Sequence, residues 1–410
     1  MQRWIWLALT GVVLSLGWGL RGYIGGGPLG AMIPGATAAL ALATLAGRND
    51  REAGVIAALG AVGIGFGGQM TYGQTIGLAL DPATRTWGLT GLGLKGAIWG
   101  LLGGAVLGWS FVLRRLPPAR TMPALALMVA FTWIGWKTLN EPKLIYFSNR
   151  LDRPRPEIWF GLLLGAAALL AWIWLRAEVR VPLRFALWGA LGGGFGFAVG
   201  GYIQVLGRAG GGDIAIGYWK VMEFTLGLCL GLAYAQSASA MCDAFDDPLD
   251  APPPASNLLM AVRGAAMAGV TLWVLSLPLG RFEYTIVGAV LIALAMVSAR
   301  DAWQIAVTLT YCAFSIDFLR SRAWSDATAW AAVALSTLAV AWLTARTERA
   351  RPLLLWLMWL AVANSFLKSF GPPSGSTRLI PLEATFTGMA IIATWLVLRL
   401  PAPREPFAPR

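Results

Sequence analysis

Apolar stretches of about 18 or more residues, the length that crosses a bilayer core, follow one another along this chain with only short polar breaks. About fourteen such runs can be traced, from 4–20 and 28–46 at one end to 353–369 and 382–399 at the other. Among them, 53–80 reads as one long element, and 302–318 as another complete one. The pattern predicts an all-α, polytopic integral membrane helix bundle of about 12–14 transmembrane helices. The opening MQRWIWLALTGVVLSLGWG has the basic and apolar parts of a signal peptide but no clear A-x-A cleavage site. It runs straight into further apolar sequence, so it is expected to be a retained first helix.

Composition agrees with the pattern. The chain is 57% hydrophobic and 13% charged, against about 25% charged in a soluble domain. The formal net charge of +12 comes mostly from arginines at the ends of apolar runs. Such residues orient helices and meet anionic headgroups, so the lipid bilayer is the expected partner, with no nucleic acid. With the N-terminus in the cytoplasm, the loops 114–120, 176–184 and 346–351 and the tail all fall inside. The segment NEPKLIYFSNRLDRPRPE fits this orientation badly, since it carries Lys143, Arg150, Arg153 and Arg155 outside; its KLIYFSNRL portion is expected in the headgroup region. The expected location is a prokaryotic plasma (inner) membrane, spanned many times.

The chain contains no histidine, which excludes bis-histidine haem, Ser-His hydrolysis, histidine zinc sites and acyl transfer by a histidine base. Cys229, Cys242 and Cys312 form no C-x-x-C. No metal or other cofactor is expected.

Glycine is the most conspicuous chemistry. GWGLRG (17–22) and GIGFGG (63–68) both fit G-x-G-x-x-G, and GFAVGG (196–201) nearly does. A dinucleotide cradle needs a strand before the motif, a helix opening from it and an acid about 20 residues on. None of these accompanies Gly17. Between apolar helices, by contrast, small residues let backbones approach and gain dispersion contact. Gly96, Gly100, Gly104 and Gly108, each four apart, make one continuous groove of this kind. Aligning the three motifs also aligns Tyr23, Gln69 and Tyr202 just after them. This alignment predicts Gly-rich repeated helical hairpins at 1–46, 53–113 and 183–240. The chain then divides into a Gly-rich transmembrane repeat region (1–240), an acidic Pro-rich loop (241–256), a second helical region (257–400) and a Pro-rich tail (401–410).

Polar residues within apolar runs mark the candidate site, because charge in a bilayer core is costly and faces a cavity or a partner. Lys220, Glu223, Gly227, Gly231 and Tyr234 are spaced by three or four and share a helix face, where Lys220 and Glu223 can pair. Lys95 lies on the face of Gly88, Gly91 and Trp99. Arg21, Tyr23, Gln69, Tyr72, Tyr202 and Gln204 fall at the ends of the repeat helices. If the hairpins pack together, these nine polar groups converge on a vestibule with little negative charge beyond Glu223. Such a lining suits an anionic small molecule or lipid headgroup.

The acidic loop raises one other possibility. Asp243, Asp246 and Asp250 have a D-x-x-D-x-x-x-D spacing that resembles the first motif of UbiA-type prenyltransferases, which would imply carboxylates holding a magnesium diphosphate. Cys242 stands where that family has Asn, and no second aspartate motif follows. The function expected is therefore a transporter or flippase for an anionic small molecule or lipid-linked group, without catalytic residues. The alternatives are a non-catalytic membrane subunit, or a membrane-embedded transferase acting on a lipid-linked diphosphate. The more uniformly apolar second region is the expected place for a protein partner or a second copy of the chain.

The charge bias generates a topology test. In a background without native cysteines, Pro117→Cys should react with an impermeant thiol reagent only after the membrane is opened. Labelling of intact cells would reverse the orientation.

Overall fold

The computed structural model describes residues 2–24, 26–48, 51–148, 154–177, 180–212, 214–246, 256–276, 282–297, 326–346, 349–370 and 380–401. Among these residues there are fourteen α-helices and no strand. In chain order they are α1 (Arg3–Ile24), α2 (Gly27–Leu45), α3 (Arg51–Gly67), α4 (Gly73–Leu80), α5 (Arg85–Trp109), α6 (Pro118–Gly135), α7 (Trp159–Ala177), α8 (Arg180–Ala209), α9 (Tyr218–Met241), α10 (Asn257–Ser276), α11 (Glu283–Val297), α12 (Asp326–Arg346), α13 (Ala350–Phe370) and α14 (Ile380–Leu398). Among the described residues, eight helices are long and apolar enough to cross a membrane. The apolar run 302–318, Asp250 and most of the acidic loop, and the tail beyond 401 lie outside the described residues.

Six helices organise the rest. α1 packs on α2, α2 on α3, α3 on α5, α5 on α8, α8 on α9, and α9 returns to α1, so the six close into a ring. A glycine brings the backbones together at every one of these interfaces. Built onto each glycine, a Cβ would stand 2.8 Å from Pro34 Cα (Gly17), 2.4 Å from Gly60 O (Gly35), 3.1 Å from Gly103 O (Gly63), 1.8 Å from Gly189 O (Gly100), 2.6 Å from Cys229 O (Gly192) and 2.5 Å from Leu14 O (Gly227). The Gly96–Gly108 groove is thus filled by α8: Gly96 meets Gly193, and Gly104 meets Phe185. Gly17 itself lies inside a helix against Pro34, as a packing residue does and a phosphate loop does not.

Aromatic rings fill the space that the glycines enclose. Trp18 and Trp99 meet edge to face at 5.0 Å, and both are buried. Trp99 Nε1 donates to Ile64 O at 2.7 Å, and Tyr234 Oη donates to Gly100 O at 3.0 Å. Their polar atoms are thereby satisfied inside the ring. The α6–α7 pair lies against α5, α11 against α3 and α6, and α13 and α14 against α1 and α2.

Two expectations about local structure are corrected. The run 53–80 is not one helix. α3 tightens at its end through bonds from the amides of Gly68, Gln69 and Met70 to carbonyls three residues back, and the chain breaks before α4. Gly68 is pressed against the Pro28 backbone, leaving no room for another helical turn with side chains. Nor does KLIYFSNRL lie wholly at the surface. Lys143, Leu144 and Ile145 are exposed, but Tyr146, Phe147 and Ser148 fold inward and are buried. Residues 149–151 of that segment lie outside the described residues.

At the opposite end, the chain termini of the helices are tied together. Asp246 pairs with Arg115 Nε at 2.7 Å and accepts from the Arg114 amide at 2.8 Å, while Phe245 stacks on Phe111 at 4.3 Å. Asp246 is therefore engaged with the 114–120 loop. Among the described residues, no group of His, Cys, Asp or Glu is arranged to hold a metal ion.

Two substitutions on α5 separate packing from helix propensity. Gly100→Ala should cost about 1–3 kcal/mol, because its methyl would strike backbone that has little freedom to move. Gly93→Ala, whose Cβ would stand an ordinary 3.5 Å from Ala198 Cβ, should be neutral or stabilising by about 0.5–1 kcal/mol. Melting of the two purified variants checks this, and equal losses would remove the backbone-contact argument.

Candidate functional site

The polar residues gather where α1 ends, α9 begins and the α3–α4 connection crosses between them. Lys220 and Glu223 sit three apart on the first turns of α9, and their side chains meet: Nζ to Oε2 is 2.6 Å. Lys220 also donates to the Gly19 carbonyl at 3.0 Å, and its ammonium lies 5.8 Å from the Tyr23 ring centroid. Glu223 Oε1 accepts from Trp219 Nε1 at 2.9 Å and from Tyr72 Oη at 3.3 Å. Glu223 is 1% exposed and Lys220 9%.

Arg21 completes this cluster from α1. Its Nη1 donates to Tyr72 Oη at 2.9 Å, and its guanidinium lies over Trp99 (4.6 Å), Tyr72 (5.4 Å) and Trp18 (5.9 Å). Aromatic faces stabilise a desolvated cation through their quadrupoles. Arg21 is 2% exposed, and its Nε is buried without a hydrogen-bond partner among the described residues. Burial pushes the Tyr72 phenol, outside the long helices, up to about 12. It stays protonated at neutral pH, accepting from Arg21 and donating to Glu223. Within this hydrogen-bonded cluster, two cations share one carboxylate. That leaves unbalanced positive charge in a setting where water does little screening, which an anion can neutralise.

Lys95 belongs to a second arrangement, which begins at Thr71, the residue before Tyr72. Its three ammonium protons go to Thr71 O (2.7 Å), Thr75 Oγ1 (2.7 Å) and Glu157 Oε1 (2.6 Å). Glu157 in turn accepts from Ser148 Oγ (2.9 Å) and from the Phe147 amide (3.0 Å). Lys95 and Glu157 side chains are each 1% exposed. The expectation of little negative charge beyond Glu223 is therefore corrected. Glu157 supplies a full countercharge, and it is also what draws Phe147 and Ser148 inward. This pair is satisfied on every side and behaves as a structural lock.

The remaining candidates separate. Tyr23 touches the main cluster through Lys220 and packs on Phe386 of α14 at 6.1 Å. Gln69 is turned toward α11, where Thr285 Oγ1 donates to its Oε1 at 3.0 Å. Gln204 is buried, with its Oε1 lacking a partner among the described residues, whereas Tyr202 is 48% exposed. Sequence reasoning missed Glu157, the aromatic cage of Trp18 and Trp99, and the buried Glu383 on α14. The first was hidden because an acid before an apolar run also reads as an ordinary helix start.

The lock makes a double-mutant prediction. Lys95→Met or Glu157→Gln alone should cost about 3–5 kcal/mol by stranding a buried charge, and combining them should recover most of that loss. Thermal unfolding of the three variants checks it; additive losses would show that the two groups act separately.

Comparison of the chain with known protein families, with characterised proteins and with solved structures finds no match.

Proposed function

We propose that this chain is a multi-pass membrane protein that binds an anion at one end of the six-helix ring and moves it, as a transporter or flippase for an anionic small molecule or lipid-linked group. The membrane reading is supported by the eight long apolar helices and by their outward faces. On α8, Leu187, Leu191, Phe195 and Leu206 are each more than half exposed, which an aqueous surface would disfavour and lipid would accept. Arg3 bonds Gln236, and Arg48 bonds the Asp246 carbonyl, so these two arginines share the end opposite the cluster, whereas the Arg155 amide donates to Gln74 at the cluster end. The three hairpins of the sequence repeat correspond to α1–α2, α3–α5 and α8–α9, which are consecutive in the ring.

One observation carries the anion reading: Arg21 and Lys220 are buried around one carboxylate, with Arg21 Nε unspent. An incoming anion would compete with Glu223 for Lys220 and draw on Arg21 at the same time. Below the cluster, Trp18 and Trp99 close the ring, so passage requires these rings to move. The same plug also favours a second reading, a rigid non-catalytic subunit whose polar cluster is structural.

Uptake in proteoliposomes separates the two. Glu223→Gln should strengthen anion binding about tenfold, the worth of one charge-assisted hydrogen bond, while slowing release and lowering turnover. Lys220→Met should abolish binding. Full activity in the double variant Lys220→Met with Glu223→Gln would leave the rigid-subunit reading standing.

A further inference from the structure

The seat that Glu223 occupies describes its ligand. A Cβ built on Gly22 would stand 2.0 Å from Glu223 Oε1, 2.4 Å from Oε2 and 2.5 Å from Cδ. Both oxygens are nearer than the carbon. The carboxylate therefore points end-on, oxygens first, into the space that a side chain at Gly22 would fill. Gly22 is exposed, whereas Glu223 is buried directly beneath it. The glycine thus forms a thin wall between the surface and three donors: Trp219 Nε1 and Tyr72 Oη on one oxygen, Lys220 Nζ on the other.

We propose that Glu223 is a resident carboxylate holding the seat of a ligand's own carboxylate, and that the ligand is a monocarboxylate entering past Gly22. This inference rests on the anion reading above and narrows it. The donors on Glu223 serve two oxygens, so a planar two-oxygen head reproduces the contacts that the resident carboxylate already makes. Charge points the same way. Two cations and one carboxylate become neutral with one added monoanion, whereas a dianion would bury an excess negative charge. Glu223 has somewhere to go: Tyr72 already joins it to Arg21, so it can turn toward that guanidinium as the ligand takes Lys220.

The test uses the full chain purified in detergent, with acetate as probe against chloride and inorganic phosphate at matched ionic strength. In Glu223→Ala the seat is vacated, so acetate should raise the melting temperature saturably, and phosphate and chloride should not. The wild type should respond to acetate about tenfold more weakly, because its own carboxylate competes. Gly22→Ala provides a second route that keeps the acid. Its methyl fills the seat itself, so binding of radiolabelled acetate should fall below that of the wild type. Absence of an acetate response above chloride in Glu223→Ala, acetate binding undiminished in Gly22→Ala, or a phosphate response equal to that of acetate, overturns the proposal. Acetate seating without uptake in proteoliposomes would discard transport alone, whereas uptake of phosphate but not of carboxylates would discard this proposal and keep transport.

Discussion

At Gly100 and Gly189 two helices meet with no side chain between them, each glycine facing the other's carbonyl. Contact of this kind recurs around the ring, and it sets the distance at which everything else is placed. Dispersion falls off steeply with separation, so helices held by backbone contact lose most of their attraction if forced apart by even a methyl. The closeness also limits the interior to a few large rings, Trp18, Trp99 and Tyr234, and the last two place their polar atoms on carbonyls within the ring.

The polar end depends on the same constraint. Lys220 reaches Gly19 O because α9 lies tight along α1, with Gly227 against Leu14 and Gly231 against Thr10. Gly22 admits the Glu223 carboxylate for the same reason. Two kinds of buried charge result. Lys95 and Glu157 exhaust each other's hydrogen-bonding capacity and fix a connecting segment in place. Arg21, Tyr72, Glu223 and Lys220 do not reach that balance, and an unbalanced buried cluster is where a ligand or a change of state has energy to act on.

What could be read from the residues follows their range. The Lys220–Glu223 pair and the Gly96–Gly108 groove lie within single helices, where a spacing of three or four fixes a shared face. The break between Gly67 and Gly73 shows only through Gln69 and Tyr72 in the motif alignment, because neither charge nor proline interrupts the apolar run. Aligned motifs placed Tyr23, Gln69 and Tyr202 at one depth, but depth does not fix the direction in which a side chain points. Tyr23 meets Lys220, Gln69 meets Thr285, and Tyr202 looks outward. Glu157 pairs with a residue 62 positions earlier, a relation that no local pattern encodes.

The return of α9 to α1 has a consequence in time. The first helix of the ring is made long before the last, which ends at Met241. At about 5–20 residues per second, α1 waits on the order of 10–45 s for its partner to be synthesised. Throughout that interval the α9-facing stripe of α1, with the Gly19 carbonyl that Lys220 will meet, has no lasting neighbour. Biogenesis therefore has a vulnerable window, in which an insertase or chaperone that shields a single polar helix decides how many chains ever close.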